Sequence, residues 1–218
     1  MATRPSLQSR SAATRQGIID AAVALFTDQG YGETRLQDIV ERAGVTTGAF
    51  YYHFDSKAVL GAAIMAQGWP KALTVIDDCL GDSSKPGLER VILMTFALSS
   101  LLKRDRSVWI ANNLNQAFGQ LSEDGRHGFE SRARQFVARV AEVIDPDELR
   151  PDITPVDVGN QVWITVHGCH LLSDAMGDDV IDRLARSWHL LLPAIVPAAT
   201  LSDCERFIVR LAGNQSPS

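Results

Sequence analysis

Residues 34–60 read TRLQDIVERAGVTTGAFYYHFDSKAVL, and this stretch decides the fold. Two short helical segments meet at Ala43, Gly44 and Val45. Gly44 supplies the left-handed backbone that a tight helix-to-helix turn requires, because it has no Cβ to clash. Ile39, Val40, Ala43 and Val45 form an inward face against Ile19, Ala22 and Phe26 of the preceding segment, the pattern of a packed helix-turn-helix. Thr34 with Gln37 makes a capping-box pattern ahead of the first short helix, and Thr46 is placed to cap the second. That second helix is left with Thr46, Thr47, Gly48, Tyr51, Tyr52 and His53 as its outer surface. Short hydroxyls and a glycine at a helix N-terminus allow close approach to phosphates and base edges. Tyrosines can donate to phosphate, and so can Lys57 from the start of the next helix. With Thr34 and Arg35 these residues form the candidate DNA-binding set. Phe54 reads as core, and His53 taken alone is more often a structural histidine than a base reader.

Working outward, the whole chain reads as helical. No run of four to eight residues alternates apolar and polar side chains between turn signals, as a half-buried strand would. Residues 12–29 carry Ile18, Ile19, Ala22, Leu25 and Phe26 at helical spacing and stop at Gly30. Asp55 or Ser56 opens a helix through Val59, Leu60, Ile64 and Met65. A polar loop from Gly81 to Gly87 precedes helices over 88–102 and 106–121. A Glu-Asp-Gly turn at 123–125 then leads to a helix from about His127 to Ile144. Thr154, Pro155 and Asp157 form a helix start that runs to Met176, and 178–195 makes the next. Ser202 and Glu205 box the start of a short last helix. The expected class is all-α, with an N-terminal arm and three-helix DNA-binding domain over 1–60 and a larger ligand-binding and dimerisation domain over 61–218.

Composition narrows the function classes. Of the 218 residues, 45% are hydrophobic and 22% charged, ordinary for a globular protein. The longest apolar stretch, Leu190 to Ala199, contains two prolines and is too short for a bilayer span, so no membrane partner is expected. No apolar run follows Arg4, Arg10 and Arg15, which argues against a secretory signal. Cys79, Cys169 and Cys204 are widely spaced and odd in number, which points to a reduced, cytoplasmic setting. The net charge of −5 would not by itself suggest nucleic acid, but a DNA reader need be basic on one face only. Residues 1–15 hold three arginines and no acid, against three basic and six acidic side chains over 16–60.

The stretch GVTTGAFYYHFDSKAVL resembles the GVxxGxxYxHFxxKxxL signature of the TetR family of repressors, with Gly44, Val45, Gly48, Tyr51, His53, Phe54, Lys57 and Leu60 in register. Upstream, IIDAAVALFTDQGYGETRLQDIV resembles the first helix and turn of that family, including Phe26, Gly30, Tyr31 and Thr34. The TFALS of residues 95–99 and the Trp188 to Pro197 segment resemble the γ-butyrolactone-receptor branch. The resemblance implies a DNA-binding repressor that holds a pseudo-palindromic operator as a homodimer and is released by a small apolar, lactone- or furan-like effector. It makes Tyr51 a phosphate contact, and Thr47 stands where many relatives carry lysine or serine. It also implies dimer closure as a four-helix bundle through 155–176 and 178–195. Gly159 and Gly168 permit close approach there, and Val162, Val166, Leu184, Trp188 and Leu191 supply the apolar surface.

The effector is expected within residues 88–175. Phe96, Trp109, Phe118, Phe136 and Trp163 offer aromatic walls, and Asn112, Asn113, Asn115, Gln116 and Gln161 offer polar points, the mixture a ligand pocket wants. Arg132 falls where the butyrolactone receptors carry a pocket tryptophan, which suggests a more polar, carboxylated ligand or a pocket shifted toward Trp109. His167, Cys169 and His170 could suggest zinc, but no further ligand falls at a characteristic spacing. No metal or cofactor is expected. No GxSxG or similar elbow accompanies the serines, so no enzyme activity is expected. An activating receptor of the same family and an all-helical enzyme stand as the alternatives.

Overall fold

The computed structural model describes residues 7–121 and 123–213. Among the described residues there are ten α-helices and no strand. They are α1 (Leu7–Glu33), α2 (Leu36–Arg42), α3 (Thr47–His53), α4 (Lys57–Gly81), α5 (Gly87–Arg104), α6 (Arg106–Leu121), α7 (Glu123–Val143), α8 (Pro155–Met176), α9 (Val180–Ile195) and α10 (Ala198–Gly213). A 3-10 turn, Pro146–Glu148, links α7 to α8.

Local chemistry sets most of the helix ends. Gly30, at φ 85°, breaks α1 at the expected residue. Thr154 caps α8, its Oγ1 accepting the Asp157 N–H at 3.2 Å while the Asp157 carboxylate accepts the Thr154 N–H at 3.0 Å. Gly177, left-handed at φ 70°, closes the same helix. Three expectations need correction. Glu123, Asp124 and Gly125 form the first turn of α7 and not a separate turn, where the carboxylates complement the positive end of the helix dipole. The last helix starts at Ala198, after Pro197, so Ser202 and Glu205 lie inside it. And α1 reaches back to Leu7, which puts Arg10 on a helix; Arg4 lies outside the described residues.

The chain forms two compact units, residues 1–71 with 105–120 and residues 72–104 with 121–218. Against the single border expected at 60/61, the first half of α4 and nearly all of α6 fall in the unit that holds the helix-turn-helix. In the first unit Ile18, Ile19, Ala22 and Phe26 of α1 pack with Ile39 and Val40 of α2. Phe50, Phe54, Leu60, Ile64, Ile110 and Leu114 complete that core. Helix α6 lies close on α4 at two glycines. A Cβ on Gly68 would stand 2.6 Å from the Ser107 carbonyl oxygen, and one on Gly61 2.7 Å from the Phe118 ring. Among the described residues only α4 is long and apolar enough to cross a membrane by composition, and Leu60, Ile64, Ile76 and Leu80 of it are buried in the protein's own cores.

The second unit packs α5 with α7, α8, α9 and α10 around a core that includes Phe96, Phe136, Val140, Val162, Leu184 and Trp188. Two of the polar side chains inside it form a relay. The Trp188 Nε1–H donates to Thr95 Oγ1 at 3.0 Å, and Thr95 Oγ1 donates to the Ile92 carbonyl at 2.7 Å. Gly159 lets α8 approach α7, since a Cβ there would lie 3.0 Å from the Val137 carbonyl oxygen.

Candidate functional sites

The reading surface is built from the turn upward. Gly44, at φ 65°, joins α2 to α3, and the Val45 N–H donates to the Val40 carbonyl at 3.2 Å, fixing the angle between the helices. Thr46 caps α3 as expected, its Oγ1 accepting the Ala49 N–H at 3.1 Å. With Phe50 and Phe54 buried beneath it, α3 turns Thr47, Gly48, Tyr51 and Tyr52 to the outside. Tyr52 is 78% exposed and Tyr51 52%. Such exposure is unusual for large aromatics unless they meet a partner. His53 is half-buried, edge-on to the Tyr52 ring at 4.9 Å. Gly48 has no internal reason to be glycine: the nearest atom to a Cβ there is Thr46 Oγ1 at 3.9 Å, and its φ is not in the left-handed region.

Two members of the candidate set face inward. Thr34 is buried; its Oγ1 donates to the Gly30 carbonyl at 2.8 Å and accepts from Gln29 Nε2 at 3.2 Å. The Thr34–Gln37 box does not form. Arg35 occupies the cap, its N–H accepted by the Asp38 carboxylate at 2.9 Å, while Gln37 bonds Glu41 at 3.0 Å. Arg35 is exposed beside this cap. Lys57 Nζ donates to the carbonyls of Tyr31 at 2.8 Å and Thr34 at 2.9 Å and sits 4.3 Å from the centre of the Tyr31 ring. Burial pushes its pKa down, against the opposing pull of Glu33. Lys57 thus clamps the α1–α2 link to α4; the phosphate role read from its position has no support in this geometry. Its partners lie 23 and 26 residues upstream, and no local signal announces them.

The expected effector residues divide between the units. In the first, Trp109 and Phe118 pack onto the core that carries the helix-turn-helix, Phe118 edge-on to Tyr31 at 5.3 Å. Asn112, Asn113 and Gln116 are half-buried on the same helix, and Asn115 is 2% exposed with neither side-chain polar atom hydrogen-bonded. In the second unit Phe96 is sealed in the core, while Phe136 and Trp163 belong to an aromatic cluster between α7 and α8. Trp163 stands 5.3 Å from Phe136, 5.7 Å from Phe129 and 4.0 Å from His167. Phe129 and His167 are not among the expected effector residues; their spacing from Phe136 and Trp163, one or two helical turns, is the available signal. Arg132 lies on α7 between the two phenylalanines, and Gly128 leaves room for its guanidinium, a Cβ there falling 3.2 Å from a terminal nitrogen. Burial lowers the Arg132 pKa. Gln161 bonds Thr165 at 3.3 Å.

The histidines of α8 are occupied one by one. His167 Nδ1 meets the Trp163 carbonyl at 2.9 Å, His170 Nε2 meets Ser99 Oγ at 3.1 Å, and Cys169 Sγ lies 3.5 Å from Ser187 Oγ. Burial lowers both histidine pKa values, that of His170 to about 4 with help from the His167 charge.

Four of the five expected interface residues, Val162, Val166, Leu184 and Trp188, are buried inside the subunit itself, and Leu191 packs against the same core. A side chain already sealed in its own subunit has no surface left for a partner. The outward apolar residues of α8 and α9 include Ile164 (62% exposed), Leu171 (61%) and Leu190 (81%). Of the two glycines expected at close helix crossings, Gly159 faces α7 within the subunit, whereas a Cβ on Gly168 would meet nothing within 4 Å.

Residues 18–64 match the family model for bacterial regulatory proteins of the tetR family. The chain is 27% identical over 195 residues to the A-factor receptor protein of Streptomyces griseus, covering 86% of this chain and 66% of that protein's length. It is 26% identical over 145 residues to the HTH-type transcriptional repressor DhaR of Mycobacterium sp. (strain GP1), over 65% of this chain and 72% of DhaR. Among solved structures, a gamma-butyrolactone receptor (ArpA-like protein) superposes with a TM-score of 0.76 at 26% identity, over 94% of this chain and 99% of the receptor. CprB of Streptomyces coelicolor, solved with its operator sequence, superposes at 0.73 with 26% identity, over 93% of this chain and 98% of CprB. Residues 18–64 are thus a tetR-family helix-turn-helix domain, and the described chain shares the fold of these DNA-binding transcriptional regulators.

Proposed function

We propose that the protein is a homodimeric repressor that holds a pseudo-palindromic operator and leaves it when a small effector binds. The observation that carries the reading is the outer surface of α3, where Thr47, Gly48, Tyr51 and Tyr52 stand exposed over a buried Phe50–Phe54 base. Two tyrosine hydroxyls suit phosphate oxygens, a small threonine suits a base edge, and a glycine with no internal packing role allows close approach of the backbone. Arg10 and Arg15, along α1, and Arg35, at the cap of α2, add positive charge on the same unit. Lys57 and Thr34 support this surface from behind.

Dimerisation follows from the outward residues of α8 and α9. Ile164, Leu171 and Leu190, with the open Gly168 between them, give an apolar face that a two-fold copy would cover as a four-helix bundle. Two-fold protein symmetry then calls for two-fold DNA symmetry, with half-sites a turn or a multiple apart.

The effector reading rests on the α7–α8 cluster. Phe129, Phe136 and Trp163 form aromatic walls, Gln161 and His167 offer hydrogen-bonding points, and the Arg132 guanidinium favours a carbonyl-rich or carboxylated group, which its planar fork binds well. The relatives named for A-factor and gamma-butyrolactone support a lactone or furan-like molecule with an alkyl tail. A gel shift on the DNA upstream of the chain's own gene tests the reading, with alkyl γ-butyrolactones and alkylfuran carboxylic acids as probes. A shifted band that disappears with one of them, and protection of a two-fold site, is the expected result. Protection of one asymmetric site, or affinity independent of salt, counts against it.

A further inference from the structure

A cavity of about 450 Å³ opens in the second unit, away from the α7–α8 aromatic cluster in sequence and in its lining. The N-terminus of α5, the 3-10 turn and the junction of α9 with α10 form its walls. Its floor is apolar, with Leu88, Val196 and Cys204, all nearly buried. Its polar lining is of one sign: Glu89, Asp145, Asp147, Glu148 and Asp203 contribute carboxylates, and no lysine or arginine lines it. The volume and the apolar floor suit a small-molecule site.

The walls are held before any ligand arrives. The Glu148 carboxylate accepts the N–H groups of Gly87 and Leu88, each at 2.9 Å, and of Asp145 at 3.1 Å. That bond set ties the 3-10 turn to the start of α5. Gly87 is wedged against the end of α7, where a Cβ would fall 1.9 Å from the Val143 carbonyl oxygen. The Arg150 N–H donates to the Ile195 carbonyl at 2.8 Å and so fixes the turn to the end of α9. A pre-formed cavity loses little affinity to ordering.

The carboxylates are not equally committed. Glu148 and Asp145 serve backbone N–H groups, and Asp203 pairs with Arg206. Among the described residues, Glu89, on the first turn of α5 and half-buried, and Asp147, on the 3-10 turn and exposed, have no such bond to their carboxylates. At the floor Cys204 is buried. Burial, then the charges of Glu89, Asp203 and Glu148, push the pKa of its thiol up.

We infer that this cavity is a second ligand site, separate from the effector cluster, which takes an organic cation with an apolar body. The ammonium group sits between Glu89 and Asp147, and the apolar body lies on Leu88, Val196 and Cys204. A compact ammonium gains from an acidic rim, whereas a carboxylated or neutral molecule of the same shape is rejected or gains nothing. This inference does not depend on the effector reading.

Dansylcadaverine, an apolar fluorophore with a primary ammonium, is the probe, and dansylamide, which lacks the ammonium, is the control. The full chain is titrated with each at low and moderate salt, and thermal unfolding is followed in parallel. One dansylcadaverine per chain is expected, with dansylamide at least about tenfold weaker, roughly 1.4 kcal/mol. The Glu89→Gln/Asp147→Asn double variant should keep the thermal midpoint and lose about tenfold in dansylcadaverine affinity. Thr200→Phe, placed on the lining, should block the probe by filling the cavity. Equal binding of the two probes, undiminished binding by a folded double variant, or no binding by the wild type overturns the inference. If the double variant does not fold, Thr200→Phe decides alone: a folded variant that still binds the probe overturns it.

Discussion

Gly48 shows how one residue separates a folding requirement from a binding requirement. Its backbone is helical and nothing crowds a Cβ there, so the fold alone would accept alanine and gain up to about 1 kcal/mol of helix propensity. Gly48→Ala should therefore raise the urea midpoint slightly while weakening operator binding about tenfold or more. A variant that is more stable and binds equally well would show that α3 does not approach DNA at this residue. Lys57 presents the opposite case. Its ammonium satisfies two carbonyls, and hydrogen bonds to a charged donor are worth about 1.5–3 kcal/mol when buried and less at this partial exposure. Lys57→Met should lower unfolding free energy by about 1–2 kcal/mol. The salt dependence of operator binding should hardly change, because no phosphate contact is lost. A reduced salt slope with unchanged stability would restore the phosphate role.

At the scale of elements, α8 and α9 each carry two faces that linear periodicity does not distinguish. Trp188 is fully enclosed and donates to Thr95, so Trp188→Asp buries an unpaired carboxylate in the subunit core and should abolish folding. Leu190, two residues on, is 81% exposed. Leu190→Asp combined with Ile164→Asp should leave helical circular dichroism intact and shift sedimentation from dimer to monomer. A folded dimer in the double variant would place the interface on another face. The α4–α6 contact is equally specific. Gly68→Ala would place a methyl 2.6 Å from the Ser107 carbonyl oxygen, a backbone atom, and the overpacking should cost about 1–3 kcal/mol. Gly17→Ala, with nothing within 4 Å, is the matched control in the same unit and should cost nothing.

Across the whole molecule, the buried histidines make stability depend on pH. Burial, then the His167 charge, lowers the His170 pKa to about 4, below its unfolded value near 6.5. The unfolded chain binds the proton more readily, so this stabilisation is complete above about pH 6.5 and is lost as pH falls toward 4. Where His170 dominates, the slope approaches 1.4 kcal/mol per pH unit, and burial of His167 acts in the same direction. Urea unfolding at pH 7 and pH 5 measures it, and His170→Gln should flatten the dependence. A flat profile in the wild type would mean that His170 is solvated or paired as a cation.

What the amino-acid order determined by itself were features whose cause lies within about four residues. The break at Gly30, the left-handed Gly44, the Thr46 cap and the Thr154-to-Gly177 limits of α8 all follow from side chains that bond or spare their own backbone. The exposed face of α3 was legible for the same reason, since a seven-residue helix with Phe50 buried and Phe54 buried just past its end has one outside left. The tertiary structure alone decided which apolar stripe meets which partner. Periodicity marks Trp188 and Leu190 alike as residues of an apolar helix, but only packing shows that one is enclosed by its own subunit and the other is not. It also decided that α6 clusters with the helix-turn-helix, through glycines on another helix about 40 to 60 residues earlier in the chain. Lys57 turned inward for the same physical reason. A buried carbonyl takes whatever donor the fold brings to it, and sequence distance says nothing about which donor that will be.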